Sequence, residues 1–433
     1  VTEAVDPLAA LPASEAVDPL AALPASEAVD PLAALPASEA VDPLELAPAD
    51  WHGYPHTLAD VLPAASVALG VGSGAPGPAV PPGDSVVVLL IDGLGATLLD
   101  EYADHAPTLR ALTSTTLRAG FPATTATSIL SLTAGTSCGV HGIIGYSFRP
   151  GDECRTRGSR RVLNSLRWTL DDASGPSALM TYPPALVRTE RGSLEELAAE
   201  GVRVTYVMPG EFRGTGLTMA AFRASGQFLP AVTPDGIREA VLTTLRRRSR
   251  HRRFVYAYYS ELDMAGHIHG PGSAEWLEKL RIVERLVADL ASELTDGTTL
   301  LVTGDHGMIT ADRAIDIDTA PVLLDGVDAV AGEARVRHVY ATPGSADDVL
   351  NGWASYLGDA AHVVSREQSI DEEWFGPVVN DAVAQRIGDV VAVARGATTL
   401  TRSKRETMES MMLGHHGAWT AAEQLVPLIV ASG

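Results

Sequence analysis

A chain of 433 residues, 46% of them apolar, has material for one large α/β domain with insertions or for two domains. It holds no run near the roughly 18 uninterrupted apolar residues of a membrane span, so no membrane segment is expected. The formal charge of −22 excludes general attraction to nucleic acid, and ten of the 54 acids lie in residues 1–50, where no Lys or Arg stands against them. Cys138 and Cys154 are too few for a disulfide framework, and the first residues are acidic and Pro-broken rather than basic and then apolar. The expectation is a cytoplasmic protein with two free thiols. Lys stands only at 279 and 404 while Arg is plentiful, a composition that suggests a GC-rich bacterial gene.

Residues 3–14, 15–26 and 27–38 are identical copies of Glu-Ala-Val-Asp-Pro-Leu-Ala-Ala-Leu-Pro-Ala-Ser, and a fourth copy opens at Glu39. Two prolines per unit interrupt any helix, and the few small apolar side chains cannot bury a stacked core. Residues 1–46 therefore read as a flexible, disordered acidic arm rather than a solenoid. The folded part runs from 47 to 433. Residues 58–61 suggest a short helix leading to 67–69, and 70–78 form a Gly/Pro linker. That linker is not a dinucleotide-binding turn, because prolines rather than a helix follow its glycines.

From Asp84 onward strands and helices alternate. Residues 86–91 form a continuous apolar strand of the kind buried on both faces. Helices are expected at 96–102 and 107–112, and strands at 203–208 and 254–259. The spacing of Trp276, Leu277, Leu280, Ile282, Val283, Leu286, Val287 and Leu290 predicts a long helix over 274–294. Strands follow at 299–303 and 425–431. This alternation predicts a three-layer α/β/α sandwich with a mostly parallel central sheet. Between about 310 and 413 the pattern loosens, and 334–342, 346–357 and 361–365 read as a β-α-β insertion or cap.

Several polar groups fall where chemistry gathers in such folds, at the carboxyl ends of strands. Asp92 ends the first strand, Asp263 follows 254–259, and Asp305 and His306 follow 299–303. Asp263 and His267 are four apart, on one face of a helical turn. Oxygen and imidazole donors without thiolates suit zinc or manganese. Each fragment alone has an ordinary reading. An Asp-x-x-x-His is commonly a surface pair, and the hydroxyl-rich turn Gly120-Phe121-Pro122-Ala123-Thr124-Thr125 is commonly a capped helix start. Together, in this order and directly after strands, they are not ordinary.

The series resembles the alkaline phosphatase superfamily, and most closely its nucleotide pyrophosphatase/phosphodiesterase branch. The residues that carry the likeness are Asp92, Phe121-Pro122-Ala123-Thr124-Thr125, Thr133-Ala134-Gly135 with His141-Gly142-Ile143, Asp263/His267, Asp305-His306-Gly307 and His416-Gly417. They span about residues 84–433 and leave the arm outside. The resemblance implies an alkaline phosphatase-like catalytic domain over 47–433, with two divalent metals, Zn2+ or else Mn2+. One would be held by Asp263, His267 and His416, the other by Asp92, Thr125, Asp305 and His306. It further implies Thr125 as nucleophile, with Thr124 and Thr127 as fallbacks, and a covalent phospho-threonine. A threonine hydroxyl needs such help, because a bound metal can bring the pKa of water from 15.7 to about 7.

Two positions depart from the branch. Its Phe-Pro-Asn after the nucleophile is Ala126-Thr127-Ser128 here, and its phosphate-binding Asn after His-Gly-Ile falls on Tyr146. Tyr146 is thus a candidate substrate contact or a packed aromatic. His141 reads as a structural turn residue. The run Arg246–Arg253 reads as a solvated turn, and Arg155, Arg157, Arg160, Arg161 and Arg167 as candidates for a substrate-facing loop. The expected function is a metal-dependent phosphodiesterase or nucleotide pyrophosphatase acting on a small phosphate diester or nucleotide, with no nucleic-acid partner. The rivals are a phosphomonoesterase or phosphonate hydrolase on the same scaffold, and a non-catalytic metal-binding module.

Overall fold

The computed structural model describes residues 54–72, 77–158 and 160–433. The repeats at 1–46 and residues 73–76 of the Gly/Pro linker lie outside the described residues. In chain order the principal strands are β1 (Ser85–Ile91), β2 (Thr113–Arg118), β3 (Arg203–Met208), β4 (Gly226–Pro230), β5 (Arg253–Tyr259), β6 (Thr298–Thr303), β7 (Val327–Glu333), β8 (Val336–Ala341), β9 (Ala361–Ser365), β10 (Val390–Ala394) and β11 (Leu425–Ser432). The helices that matter most below are α1 (Thr125–Ala134), α2 (Glu261–His269), α3 (Ala274–Ser292) and α4 (Ala346–Leu357).

β1 is Ser-Val-Val-Val-Leu-Leu-Ile, mostly β-branched and apolar, and all of it is buried. It sits mid-sheet in the order β2-β11-β6-β1-β5-β3-β4. Its side chains alternate between two cores. Val86, Val88 and Leu90 meet the helix Val61–Ala68 and α1, while Val87, Leu89 and Ile91 meet the helices Ala96–Glu101, Pro234–Arg246 and α3. These are the three layers that the alternating pattern predicts.

The parallel character is partial. β6, β1, β5, β3 and β4 run parallel, with Leu89 opposite Ala257 on one side and Val302 on the other. β11 is antiparallel to both β6 and β2, so the sheet is mixed. The reason lies in the connection before it. The Gly307 N–H donates to the Glu423 carbonyl at 2.9 Å, so the chain enters β11 from the end where β6 stops and must run back down the sheet.

α3 forms where the spacing predicts it. The Ser273 hydroxyl caps it by accepting from Trp276 N at 3.2 Å, and Trp276, Leu280, Val283, Leu286, Val287 and Leu290 are buried. Each such side chain contributes about 1.5–3 kcal/mol by leaving water. The inserted segment is larger than β-α-β. β8 and β9 flank β10 in an antiparallel sheet ordered β7-β8-β10-β9. One face of it packs on Val349, Trp353 and Leu357 of α4. The other places Val336, Val364, Val391 and Val393 in the main core. Cys138 and Cys154 are free and buried. Among the described residues no helix is long and apolar enough to cross a membrane.

Candidate active site

The carboxyl ends of β1, β5 and β6 lie side by side, because these strands pair in register. Asp92 leaves β1 with its N–H on the Tyr259 carbonyl at 2.9 Å, and its Oδ2 accepts the Tyr258 hydroxyl. α2 opens just beyond β5 and carries Asp263 and His267 one turn apart, with His267 Nε2 3.2 Å from Asp263 Oδ2. Asp305 and His306 follow β6. Asp305 Oδ1 accepts both the Gly93 and the His306 N–H at 3.1 Å. A Cβ at Gly307 would stand 1.9 Å from the Ala422 carbonyl, so only glycine lets this turn meet the segment after His416.

Two groups of donors result. Asp263, His267 and His416 form one, and Asp92, Asp305 and His306 the other; within each the ligand atoms lie within 4.8 Å of one another. The groups adjoin, since the His306 and His416 rings stack at 3.5 Å between centroids and 13° between planes. Every metal-ligand candidate from the sequence is in one of them or, like Thr125, beside one.

The hydrogen bonds also fix the tautomers. Nδ1 of His267, His306 and His416 contacts the carbonyls of Gly414, Gly307 and Ala123 at 2.8, 3.0 and 2.8 Å. A carbonyl only accepts, so each Nδ1 carries a proton, and in the neutral ring it is Nε2 that keeps its lone pair for the site. Sequence reasoning missed these orienting carbonyls, which no side-chain motif encodes. It also missed Tyr258, which the register pairs with Leu90, two residues before Asp92.

The carboxylates lack compensation. Asp92 Oδ1, Asp263 Oδ1 and Asp305 Oδ2 are buried without a hydrogen-bond partner. Burial, and then the neighbouring Asp305 and Asp263, push the Asp92 carboxyl well above the usual range, and burial also raises Asp305. Burial pushes Asp263 the same way, but His267, His416 and His306 together hold it well below. Orphaned oxygens facing free imidazole lone pairs are what a divalent cation requires, so these residues fit two cations.

Thr125 is the first residue of α1 and is 7% exposed. Its Oγ1 lies 3.1 Å from His306 Nε2. Thr124 occupies the N-cap position, yet its side chain makes no cap hydrogen bond. The helix start is therefore not the ordinary capped one. Its first-turn N–H groups point outward at the positive end of the helix dipole, next to the hydroxyl.

Tyr146 lies at the edge of this region. Its N–H donates to Glu333 Oε2 at 2.9 Å and its phenol to Glu409 Oε1 at 3.1 Å. Burial, and then Glu409, raise the phenol's pKa. Glu333 links it to the His416 segment, since a Cβ on Gly417 would stand 3.0 Å from Glu333 Oε1. His141 is outside both groups, with Nε2 3.1 Å from the Ser131 hydroxyl. Of the loop arginines, Arg155 pairs with Asp152 three residues before it, and Arg161 pairs with Asp171 across the hairpin of Leu163–Asn164 and Thr169–Leu170.

The family model for type I phosphodiesterase/nucleotide pyrophosphatase matches residues 86–419. The chain belongs to this family. All six residues of the two donor groups, and Thr125, fall in the matched span. Among curated relatives, the bis(5'-adenosyl)-triphosphatase enpp4 of Mus musculus is 25% identical over 195 residues, 42% of this chain and 38% of that protein. The match thus spans well under half of that relative's length. Among solved structures, murine ectonucleotide pyrophosphatase/phosphodiesterase 5 superposes with a TM-score of 0.61 at 19% identity, covering 80% of this chain and 88% of that one. An inactive variant of the same murine protein was solved with AMP. Phosphonoacetate hydrolase from Sinorhizobium meliloti 1021, with phosphonoacetate, gives 0.59 at 19% identity, covering 83% and 92%. These structural likenesses establish the shared fold of this phosphodiesterase-family chain.

Proposed function

We propose that the protein hydrolyses phosphoric diesters or nucleotide pyrophosphates, with Thr125 as nucleophile and two divalent cations, Zn2+ or Mn2+, as cofactors. The observation that carries this reading is the set of three orphaned carboxylate oxygens and three imidazole lone pairs gathered beside one buried hydroxyl. Asp263, His267 and His416 would hold one cation, and Asp92, Asp305, His306 and the Thr125 oxygen the other. Bound there, divalent cations would favour the deprotonated threonine and offset charge on the phosphoryl oxygens.

The chain's own residues supply the rest. Thr125 gives up its hydroxyl proton and its Oγ1 attacks phosphorus; the Oγ1–P bond forms, the bond to the leaving oxygen of an alcohol or a phosphate breaks, and that oxygen takes up a proton. Water then attacks the same phosphorus, the Oγ1–P bond breaks and the threonine regains a proton. Two displacements give net retention at phosphorus. The outward N–H groups of α1 receive non-bridging oxygens, in the manner of anions at helix N-termini. Tyr258 fixes the Asp92 carboxylate, and the three backbone carbonyls fix the imidazoles.

A phosphomonoesterase or phosphonate hydrolase is the second reading, and one observation favours keeping it. The phenol of Tyr146 is spent on Glu409 rather than offered to the donor groups. Turnover of bis-p-nitrophenyl phosphate and p-nitrophenyl phosphate by Zn2+- or Mn2+-loaded protein separates the two. We expect the diester to be preferred; a strong preference for the monoester sinks the diesterase assignment.

A further inference from the structure

The two donor groups stand on loops far apart in sequence, so a structural element must set their separation. The turn after His416 touches the segments that carry Thr125 and His306. The Ala123 N–H donates to the Gly417 carbonyl at 3.0 Å and His416 Nδ1 donates to the Ala123 carbonyl at 2.8 Å, which ties the turn to the segment leading into Thr125. The Gly307 N–H donates to the Glu423 carbonyl at 2.9 Å, which ties it to the His306 segment.

This turn is held from within by one side chain. Glu423 Oε1 accepts the Ala418 N–H at 2.9 Å, and Oε2 accepts the Thr420 hydroxyl at 2.7 Å. The same two oxygens receive a bidentate pair from Arg335, Nε to Oε1 and Nη2 to Oε2, both at 2.9 Å. Both residues are 0% exposed. Arg335 stands between β7 and β8, outside the central sheet, and its other donors are fixed on the carbonyls of Thr398 and Gly396.

Replacing a buried ion pair by apolar side chains of similar volume is often neutral or stabilising, so stability alone does not explain this one. A planar fork on a carboxylate already bonded to two further groups does fix direction. We propose that Arg335, through Glu423, is a positioning residue that sets the spacing of the two cation groups. The inserted sheet then acts as a strut behind the site. This rests on the two-cation reading above.

Cobalt(II) titration, followed by visible absorption and metal analysis, tests the strut in the full chain. The variants are Arg335→Lys, which keeps the charge but not the fork, Glu423→Gln, and the apolar double variant Arg335→Met/Glu423→Leu. Expected for the double variant, which also leaves the Ala418 N–H and the Thr420 hydroxyl without their acceptor, are a single unfolding transition at a lower thermal midpoint under chelation, Co2+ affinity about 10- to 100-fold weaker and shifted absorption bands. Arg335→Lys should fall between. If the double variant does not fold, the two single variants carry the same comparison. Wild-type Co2+ affinity and bands in the variants that fold overturn the strut and leave the two-cation reading standing. Failure of the unsubstituted chain to bind two Co2+ overturns both.

Discussion

Thr125 Oγ1 lies 3.1 Å from Nε2 of His306, 181 positions further along the chain. Because His306 Nδ1 is the protonated nitrogen, the threonine is the donor, and its proton is directed into the donor group of Asp92 and Asp305. Thr125→Ala removes this hydroxyl at a position where alanine suits a helix. Turnover of bis-p-nitrophenyl phosphate should fall by at least about a thousandfold, with circular dichroism unchanged and cation binding at most weakened at the Asp92 group. Thr125→Ser should keep part of the rate. Wild-type turnover by Thr125→Ala removes Thr125 as nucleophile.

The carboxylates make the folded state depend on cations. Each site at a hundredfold excess over its Kd would add about 2.7 kcal/mol of stability. Chelation should therefore lower the thermal midpoint, and Zn2+ or Mn2+ should restore it. Asp305→Asn should reverse the order of stabilities. A carboxyl whose folded pKa is raised loses stability as it ionises, and the amide still accepts from Gly93 and His306 N–H at Oδ1. Under chelation at pH 7 the variant should melt at or above the unsubstituted chain, and with excess cation below it. The same order in both conditions counts against cations at this group.

How much of this was legible follows from what each feature depends on. β1, β3, β5 and β6 are buried on both faces and therefore read as apolar runs, so the carboxyl-end positions of Asp92, Asp263 and Asp305 were visible as well. β2, Thr-Ser-Thr-Thr-Leu-Arg, is half exposed at the sheet edge and carries no such run. The direction of β11 was hidden because it depends on the Gly307–Glu423 contact rather than on its own residues. Tyr146 was legible as a departure from the branch, but its attachment to Glu333 and Glu409 is tertiary. Arg335 and Glu423 stand 88 residues apart, one in the expected strand 334–342 and the other just before the expected strand 425–431, and neither segment's own residues mark the other as a partner.

Glu333 gives a pH prediction. Burial pushes its carboxyl up to about 8, against the lowering effect of Arg337, and its Oε1 has no hydrogen-bond partner. The folded pKa lies above the unfolded value, so the folded state binds the extra proton between about 4.5 and 8. The stability from this group is complete below that window and is lost as the pH rises through it, at up to about 1.4 kcal/mol per pH unit. Glu333→Gln keeps an acceptor for the Tyr146 N–H without the titration. Thermal melts should show the variant gaining on the unsubstituted chain from pH 5 to 8 and holding a constant lead above. Parallel curves across this range refute the assignment.

Tyr146 gives a test of the substrate side of the site. Its phenol holds Glu409, and the Leu413 N–H further along the same segment donates to the His267 carbonyl at 2.8 Å, so the tyrosine touches a segment anchored on a cation group. Substrate binding is expected to turn the phenol from Glu409 to a non-bridging phosphate oxygen, a hydrogen bond to a charged group worth about 1.5–3 kcal/mol. Tyr146→Phe should then lower kcat/KM for the diester by about tenfold or more, leave Co2+ stoichiometry at two and scarcely move the thermal midpoint. Tyr146→Asn, which restores an amide donor, should recover activity on nucleotide substrates better than Tyr146→Phe does. Equal kcat/KM for the phenylalanine variant and the unsubstituted chain on every substrate tried would show that Tyr146 only packs.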